Sequence, residues 1–390
     1  MKKILFVIGG LGIGGTENSL ISLLNLINYK DYNVDLLVFD KNGEYKNFVP
    51  KEVNIIEFTS KENVMLKTIS ELKNNFCFSK VMIKRLYYVL KKRLLETFNI
   101  SYNVMDDLLK DIDKYPKKYD YAIAYDARFI DYIVKKVNAD KYISWYHFTY
   151  RGKTKSDIYI DEKRFRQLDA IILVSEACEK EMKRIFSRIK DKFYFIPNSI
   201  NYKIIEERSD EFYPQEYDDN FTICSVGRLE SQKNFELAIK ACYELKKKNS
   251  NFKWFIIGDG SQLNYLQDLI KKYKVEENIK LIGKKNNPYP YMKNADLYVQ
   301  TSVFEGLCIA VAEALTLKTP IVVSNISGLK EYIYENNGLI SDLDPIDLSE
   351  KINIIYKNKS KYVCTSKVKS NDTYKLFTEL LNKNNIEIKL

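Results

Sequence analysis

The chain is 390 residues long, the length of two domains rather than one, and its 45% hydrophobic content can fill two cores. Lys and Arg number 62 against 52 acidic residues. The net charge of +10 suits an anionic partner such as a nucleotide, a phospholipid surface or a nucleic acid, and is equally met by plain solubility. The six cysteines form no CxxC pair and there is one His, which argues against a zinc cage or disulfide framework and for a reducing cytosol.

The first apolar run is short and meets glycine at Gly9, unlike a signal peptide. No stretch of about 18 uncharged apolar residues could span a bilayer, so the expected setting is cytoplasmic. Ile4–Ile8 reads as a buried strand and Asn18–Ile27 as a helix, with Leu20, Leu23, Leu24 and Ile27 at helical spacing. Strands follow at Val34–Phe39, Val53–Phe58, Tyr121–Ala124, Lys141–Trp145, Ala170–Val174 and Phe193–Ile196. Asn201–Asn220 is polar, acidic and holds Pro214, the pattern of a linker.

A second series reads as strands at Thr222–Val226, Trp254–Ile257, Ile279–Ile282, Leu297–Val299 and Ile321–Val323. A helix over Asn234–Lys248 lies among them, and another is expected over Asp372–Lys383. The expectation is an α/β fold of two Rossmann-like domains with parallel sheets, facing across a cleft where ligands meet the carboxyl ends of strands. The expected boundaries are 1–200 for the first domain, 201–365 for the second and 366–390 for a terminal segment.

Residues 78–98 break the pattern. Lys80, Lys84, Arg85, Lys91, Lys92 and Arg93 interleave with Ile83, Leu86, Tyr87, Leu90 and Leu94. A basic amphipathic helix of this kind suits peripheral contact with an anionic membrane; an ordinary surface helix with its apolar face in the core is the plain alternative.

Two constellations bear chemistry. After the first strand, Gly10, Gly12 and Gly15 match G-x-G-x-x-G, and Asp40 closes the second strand. That pattern seats a dinucleotide, so an NAD-linked oxidoreductase or sugar epimerase is one reading. Alternatively, the backbone N–H groups around Gly14, Gly15 and Thr16 face a phosphate or acceptor. The second constellation is denser. Arg228 and Lys233 bracket a strand end and can converge on a diphosphate. Gly258 and Ile282 end the next strands. Glu305 then precedes Gly306, which breaks the chain ahead of a helix whose first N–H groups suit a phosphate. Glu313, set in that apolar helix, needs donors, and a ribose diol supplies two.

The stretch from Glu305 to Glu313 resembles the E-x7-E signature of retaining glycosyltransferases of family 4. The likeness runs from Lys3 to about Leu348, through Gly14-Gly15-Thr16-Glu17, Pro197-Asn198-Ser199, Gly227-Arg228-Leu229 with Lys233-Asn234, Asn287-Pro288-Tyr289 and Asp296. It implies the GT-B fold, a final helix that crosses back to the first domain, and no metal or other cofactor. The donor it implies is a nucleotide-diphosphate sugar, a UDP-sugar first among them. The acceptor is a glycan, lipid-linked or protein hydroxyl, as in bacterial surface polysaccharide synthesis. By the same resemblance Arg228 and Lys233 hold the diphosphate, Glu313 the ribose and Glu305 the donor sugar, helped by the backbone N–H groups of Leu307, Cys308 and Ile309, while His147 meets the sugar from the first domain. The family's usual Gly is replaced by Lys318. Asp111-x-Asp113 and Asp342-x-Asp344 match a short metal motif, but both sit in charged, loop-like stretches and no metal site is expected. Basic residues are spread along the chain without a nucleic-acid motif, so no nucleic-acid partner is expected. A non-catalytic protein that binds a sugar nucleotide is the remaining alternative.

Overall fold

The computed structural model describes residues 1–12, 14–67, 80–97, 102–147, 150, 154–248, 251–305, 308–334, 337–362 and 373–382. The chain divides into two compact units, 1–199 with 372–390, and 200–371.

In the first unit the strands are β1 (Lys2–Val7), β2 (Tyr32–Val38), β3 (Asn54–Glu57), β4 (Lys118–Ala124), β5 (Asn138–Tyr146), β6 (Ala170–Leu173) and β7 (Phe193–Phe195). They form one parallel sheet in the order β3-β2-β1-β4-β5-β6-β7. Phe6 lies opposite Leu36 on one side and Ile123 on the other. Central strands of such a sheet are buried on both faces, which explains why β1 and β6 read as unbroken apolar runs. The chain runs from β1 outward to β3 and returns to β4 on the opposite side of β1. The carboxyl ends of β1 and β4 therefore form the topological switch point. The Thr373–Asn382 helix belongs to this unit. Its Phe377 ring packs on Phe6 and Trp145, and the Tyr121 hydroxyl donates to Leu381 O at 2.6 Å.

In the second unit the strands are β8 (Phe221–Val226), β9 (Phe252–Ile257), β10 (Ile279–Leu281), β11 (Leu297–Gln300), β12 (Ile321–Ser324) and β13 (Gly338–Ser341). They too are parallel, in the order β10-β9-β8-β11-β12-β13. The Phe235–Lys248 helix buries Phe235, Ala238, Ile239, Cys242 and Leu245, the stripe its sequence displays, with Trp254 and Val299. A second apolar cluster holds Ile205, Phe255, Tyr289, Val311 and Leu315.

Two expectations need correction. Asn201–Asn220 is not a linker. Tyr202–Ser209 is a helix, capped by the Asn201 side chain on the Ile204 N–H (3.1 Å), with Ile205 and Ser209 buried. Its two buried positions are too few to show against the surrounding charge. Strand β13 was not expected either, because Gly338-Leu339-Ile340-Ser341 is short, opens on Gly and follows Asn336-Asn337.

At Lys318 the backbone turns left-handed, with φ at 63°. Here the Ile309–Thr316 helix ends: Lys318 N–H bonds to Leu315 O and Thr319 N–H to Ala314 O, both at 3.0 Å. This is the Schellman closure, whose left-handed residue is commonly Gly. Lys318→Gly is therefore expected to stabilise the protein by about 0.5–1 kcal/mol, raising the melting temperature by roughly 1–4 °C. A thermal melt of the variant tests this, and a lower melting temperature would contradict it.

Candidate active site

Most of the expected site residues lie in the second unit, at the carboxyl ends of β8, β9, β10 and β11. The loops there are laced by backbone bonds: Gly227 N–H to Ile257 O (3.0 Å), Leu229 N–H to Asp259 O (2.9 Å), Gly258 N–H to Gly283 O (3.0 Å) and Val303 N–H to Gln232 O (3.0 Å). Gly258 has φ at +155°, and a Cβ added there would stand 1.8 Å from Gly227 O. Only glycine lets these two strand ends approach so closely. Ile282 follows β10 in the same row of loops.

Glu305 is the hub. Its Oε1 accepts from Lys233 Nζ at 2.6 Å and from Ser302 Oγ at 2.6 Å. The Ser302 hydroxyl in turn accepts from Gln300 Nε2 (2.8 Å), and Gln300 Oε1 accepts from the Tyr298 hydroxyl (2.8 Å). Tyr298, Gln300 and Ser302 are all buried. One carboxylate oxygen is thus anchored by a cation and a buried polar chain. The other, Oε2, has Gln232 Nε2 at 3.5 Å. Burial opposes the charge on Lys233, but Cys308 and Glu305 beside it outweigh that and hold its pKa above the ordinary value. The Lys233 carbonyl accepts from Thr301 Oγ1 at 2.8 Å, and Asn234 after it turns left-handed (φ 52°) to start the Phe235–Lys248 helix.

Arg228 is exposed just past β8. Cys308 stands at the head of the Ile309–Thr316 helix, its buried thiol pushed up to about 12 by burial. Ile309 opens that helix. Glu313, one turn on, is buried and accepts from the Tyr289 hydroxyl at 3.0 Å. Gly306 and Leu307 lie outside the described residues.

The remaining candidates belong to the first unit. Gly14 precedes the Gly15–Leu24 helix, and Gly15 and Thr16 form its first turn. His147 follows β5 at the carboxyl edge of the sheet. Its Nε2 lies 3.0 Å from Tyr125 O, and since a carbonyl only accepts, Nε2 carries the proton. Burial pulls its pKa down to about 4, against the opposing pull of Tyr125 and Asn198, so the ring is neutral at neutral pH. The residues of the dinucleotide reading are engaged locally: Asp40 accepts from Asn42 N–H (2.8 Å), and Tyr45 N–H bonds to Leu11 O (2.8 Å), tying the turn after β2 to the glycine loop.

The short acidic motifs have structural partners. Asp111 pairs with Lys84 at 2.6 Å, Asp342 accepts from Asn325 at 3.0 Å, and Asp344 caps the Pro345–Lys357 helix. Among the described residues no group of three or more His, Cys, Asp or Glu could hold a metal ion.

Several residues escape the sequence reading. Tyr298, Gln300 and Ser302 form a chain that exists only once β11 is folded. The alternation of polar groups at 298, 300 and 302 is their one sequence signal. Tyr289 appears in the Asn-Pro-Tyr resemblance, but nothing local reveals its partner.

Residues 206–369 match the family model described as glycosyl transferases group 1. An uncharacterized glycosyltransferase of Methanocaldococcus jannaschii is 28% identical over 238 residues, 58% of this chain and 56% of that protein. One of Haemophilus influenzae is 25% identical over 93% of each chain. The chain spans 56%, 62% and 56% of the first three curated relatives it matches. A crystal structure of a Staphylococcus aureus TarM mutant in complex with fondaparinux, α-GlcNAc-glycerol and UDP matches 98% of this chain and 100% of its own, with a TM-score of 0.67 and 16% identity. The fold is that of the GT-B glycosyltransferases. The match to group 1 falls on the second unit, where the Lys233–Glu305 constellation stands.

Two outcomes follow from this geometry. Ser302→Ala leaves the buried Gln300 amide without its acceptor and is expected to cost about 1–3 kcal/mol in denaturant unfolding; an unchanged midpoint would refute the chain. For His147, the ring is neutral well above pH 6.5 in both the folded and the unfolded state. Between about 6.5 and 4 the unfolded chain takes up a second ring proton that the folded ring refuses, so stability falls as the pH falls. His147→Gln should lose less stability than the wild type across that window in thermal melts, and parallel curves would show that the ring is not held neutral.

Proposed function

We propose that the chain is a retaining glycosyltransferase, moving a sugar from a nucleotide diphosphate to an acceptor hydroxyl. The observation that supports this most directly is the anchored Glu305–Lys233 pair at the strand ends, followed by buried Glu313 on the next helix. Departure of a nucleoside diphosphate builds negative charge, and preorganised cations and helix N–H groups lower that barrier. In this reading Arg228 and Lys233 meet the diphosphate, together with the amino end of the Ile309–Thr316 helix. Glu313 accepts from the ribose hydroxyls, its carboxylate already oriented by Tyr289. Glu305 keeps Oε1 on Lys233 and Ser302 and turns Oε2 to the sugar hydroxyls. His147, neutral, hydrogen-bonds the sugar. The departing phosphate oxygen takes the acceptor's proton as the new glycosidic bond forms on the same face. No resident cofactor is needed for these steps.

UDP is the leading nucleotide, a reading supported by the UDP in the TarM complex. The acceptor is a glycan, lipid-linked or protein hydroxyl, in the manner of surface polysaccharide synthesis. We place the reaction in the cytoplasm, the setting that the buried thiols of Cys224, Cys242 and Cys308 suit.

Thermal melts against UDP, GDP, ADP, CMP, their sugar conjugates and NAD(H) test the reading. Ligand at ~100 times its dissociation constant should add about 2.7 kcal/mol of stability. The expected result is a shift with one nucleotide diphosphate and its sugar. Glu313→Ala should weaken that nucleotide by roughly 10–100-fold, since a charged hydrogen-bonding partner is lost. A shift with NAD(H) alone would overturn the proposal in favour of the glycine loop, and nucleotide affinity unchanged in Glu313→Ala would remove the ribose assignment.

A further inference from the structure

The Lys80–Thr97 helix is set into the first unit with its apolar stripe outward. Ile83 (59% exposed), Leu86 (40%), Tyr87 (61%), Leu90 (61%) and Leu94 (60%) lie at helical spacing on one face. At 1.5 Å per residue the stripe is about 17 Å long. The opposite face is the one fixed to the protein. Met82 and Arg85 are buried there, and Tyr88 packs against the core. The Arg85 guanidinium donates to Val64 O and Lys67 O. On one flank Lys84 and Lys91 reach Asp111 and Asp107. Phe78, Ser79 and Phe98, at the ends of the stretch marked from sequence, lie outside the described residues.

A surface helix of a soluble protein normally turns this pattern the other way, with leucines inward and arginine outward. Five large apolar side chains on one exposed arc form a patch rather than scattered surface residues, and such patches mark contact sites. The charge around the patch says what it contacts. Of the helix's six basic residues, Lys80, Lys84, Arg85, Lys91, Lys92 and Arg93, Arg85 is buried on the opposite face and Lys84 and Lys91 pair with Asp111 and Asp107, so the exposed charge beside the patch is that of Lys80 and Arg93. Exposed Lys80 and Arg93 sit toward its two ends. Two copies of this face brought together would set like charges against each other. An anionic surface with an apolar interior matches both features at once.

We propose that this face docks on an anionic lipid surface, with the helix lying in the plane of the headgroups and the Ile83–Leu94 stripe entering the acyl boundary. Lys80 and Arg93 meet lipid phosphates, and Arg85 holds the helix to the unit. The proposal is independent of the sugar-transfer reading, because it rests on a different unit and different residues.

Flotation of the full chain with vesicles tests it, using phosphatidylcholine alone and phosphatidylcholine with about a third phosphatidylglycerol. The expected result is binding to the anionic vesicles, weak binding to the neutral ones, and partial loss in high salt. The pair Leu86→Ser with Leu90→Ser changes only exposed side chains, and its fold is checked by thermal melt. It should lower binding at least ~10-fold. Lys80→Glu with Arg93→Glu should remove the preference for anionic lipid while leaving the melt unchanged. A chain that stays with the solvent in both vesicle types overturns the proposal, as does a Leu86/Leu90 variant that floats like the wild type. A concentration-dependent dimer abolished by Leu90→Ser would overturn it too, by showing that a second copy covers the face.

Discussion

A carboxylate at the ends of parallel strands has to be satisfied before it can be used. Glu305 meets this constraint by dividing its two oxygens. Oε1 takes the Lys233 ammonium and the Ser302 hydroxyl, and the hydroxyl is itself fixed through Gln300 to Tyr298, inside the sheet. A buried ion pair is weak evidence for stability, because desolvation offsets its attraction. Here the extra hydrogen bonds supply what the pair alone lacks, and the result is orientation. The carboxylate cannot rotate without breaking a bond at Oε1, so Oε2 has a defined direction. The same logic applies to Glu313, whose Oε1 is held by Tyr289.

That arrangement depends on how closely the strand ends approach. Gly258 and Gly227 touch backbone to backbone, and the loop bonds between Leu229 and Asp259 and between Val303 and Gln232 draw the ends of β8, β9 and β11 together. The helix and strand cores on either side of the sheet supply the force; the glycines remove the obstacle. Other residues of the sequence resemblance serve this packing rather than chemistry. Asp296 accepts from Thr222 N–H at 2.7 Å and so sets β11 beside β8. Asn287 binds Arg208 O at 2.7 Å and Glu211 at 2.8 Å, fixing the segment that delivers Tyr289.

The strands were legible because a doubly covered parallel sheet demands unbroken apolar runs, and Phe6, Ile123, Ile172 and Val322 lie in such runs. The Phe235–Lys248 helix was legible from its period. Glu305, Lys233 and Glu313 were marked by motif spacing, and the structure pairs the first two. What stayed hidden depends on tertiary partners. Ser302 looks like any loop serine until Gln300 and Glu305 are folded around it. Tyr202–Ser209 hides among acids because it buries only Ile205 and Ser209. Lys318 hides for the opposite reason, since a lysine gives no sign of the left-handed turn it closes.

The Lys80–Thr97 helix shows most plainly where periodicity stops. A hydrophobic stripe identifies a face but not the direction it points. The direction is set by Arg85. The last carbonyls of a helix have no partner inside it, and at the end of the Ser60–Leu66 helix Val64 O and Lys67 O both receive the Arg85 guanidinium. A leucine could not serve those carbonyls, and an arginine left outside would take these two hydrogen bonds away. The face that carries Arg85 together with buried Met82 is therefore the one the protein uses internally, while Lys84 and Lys91 pair with Asp111 and Asp107 on its flank. Once the Arg85 side is committed inward, the apolar stripe opposite it has only the outside left. The exposed leucines follow from a capping requirement on the neighbouring helix, and that requirement turns an ordinary amphipathic pattern into an outward-facing apolar surface.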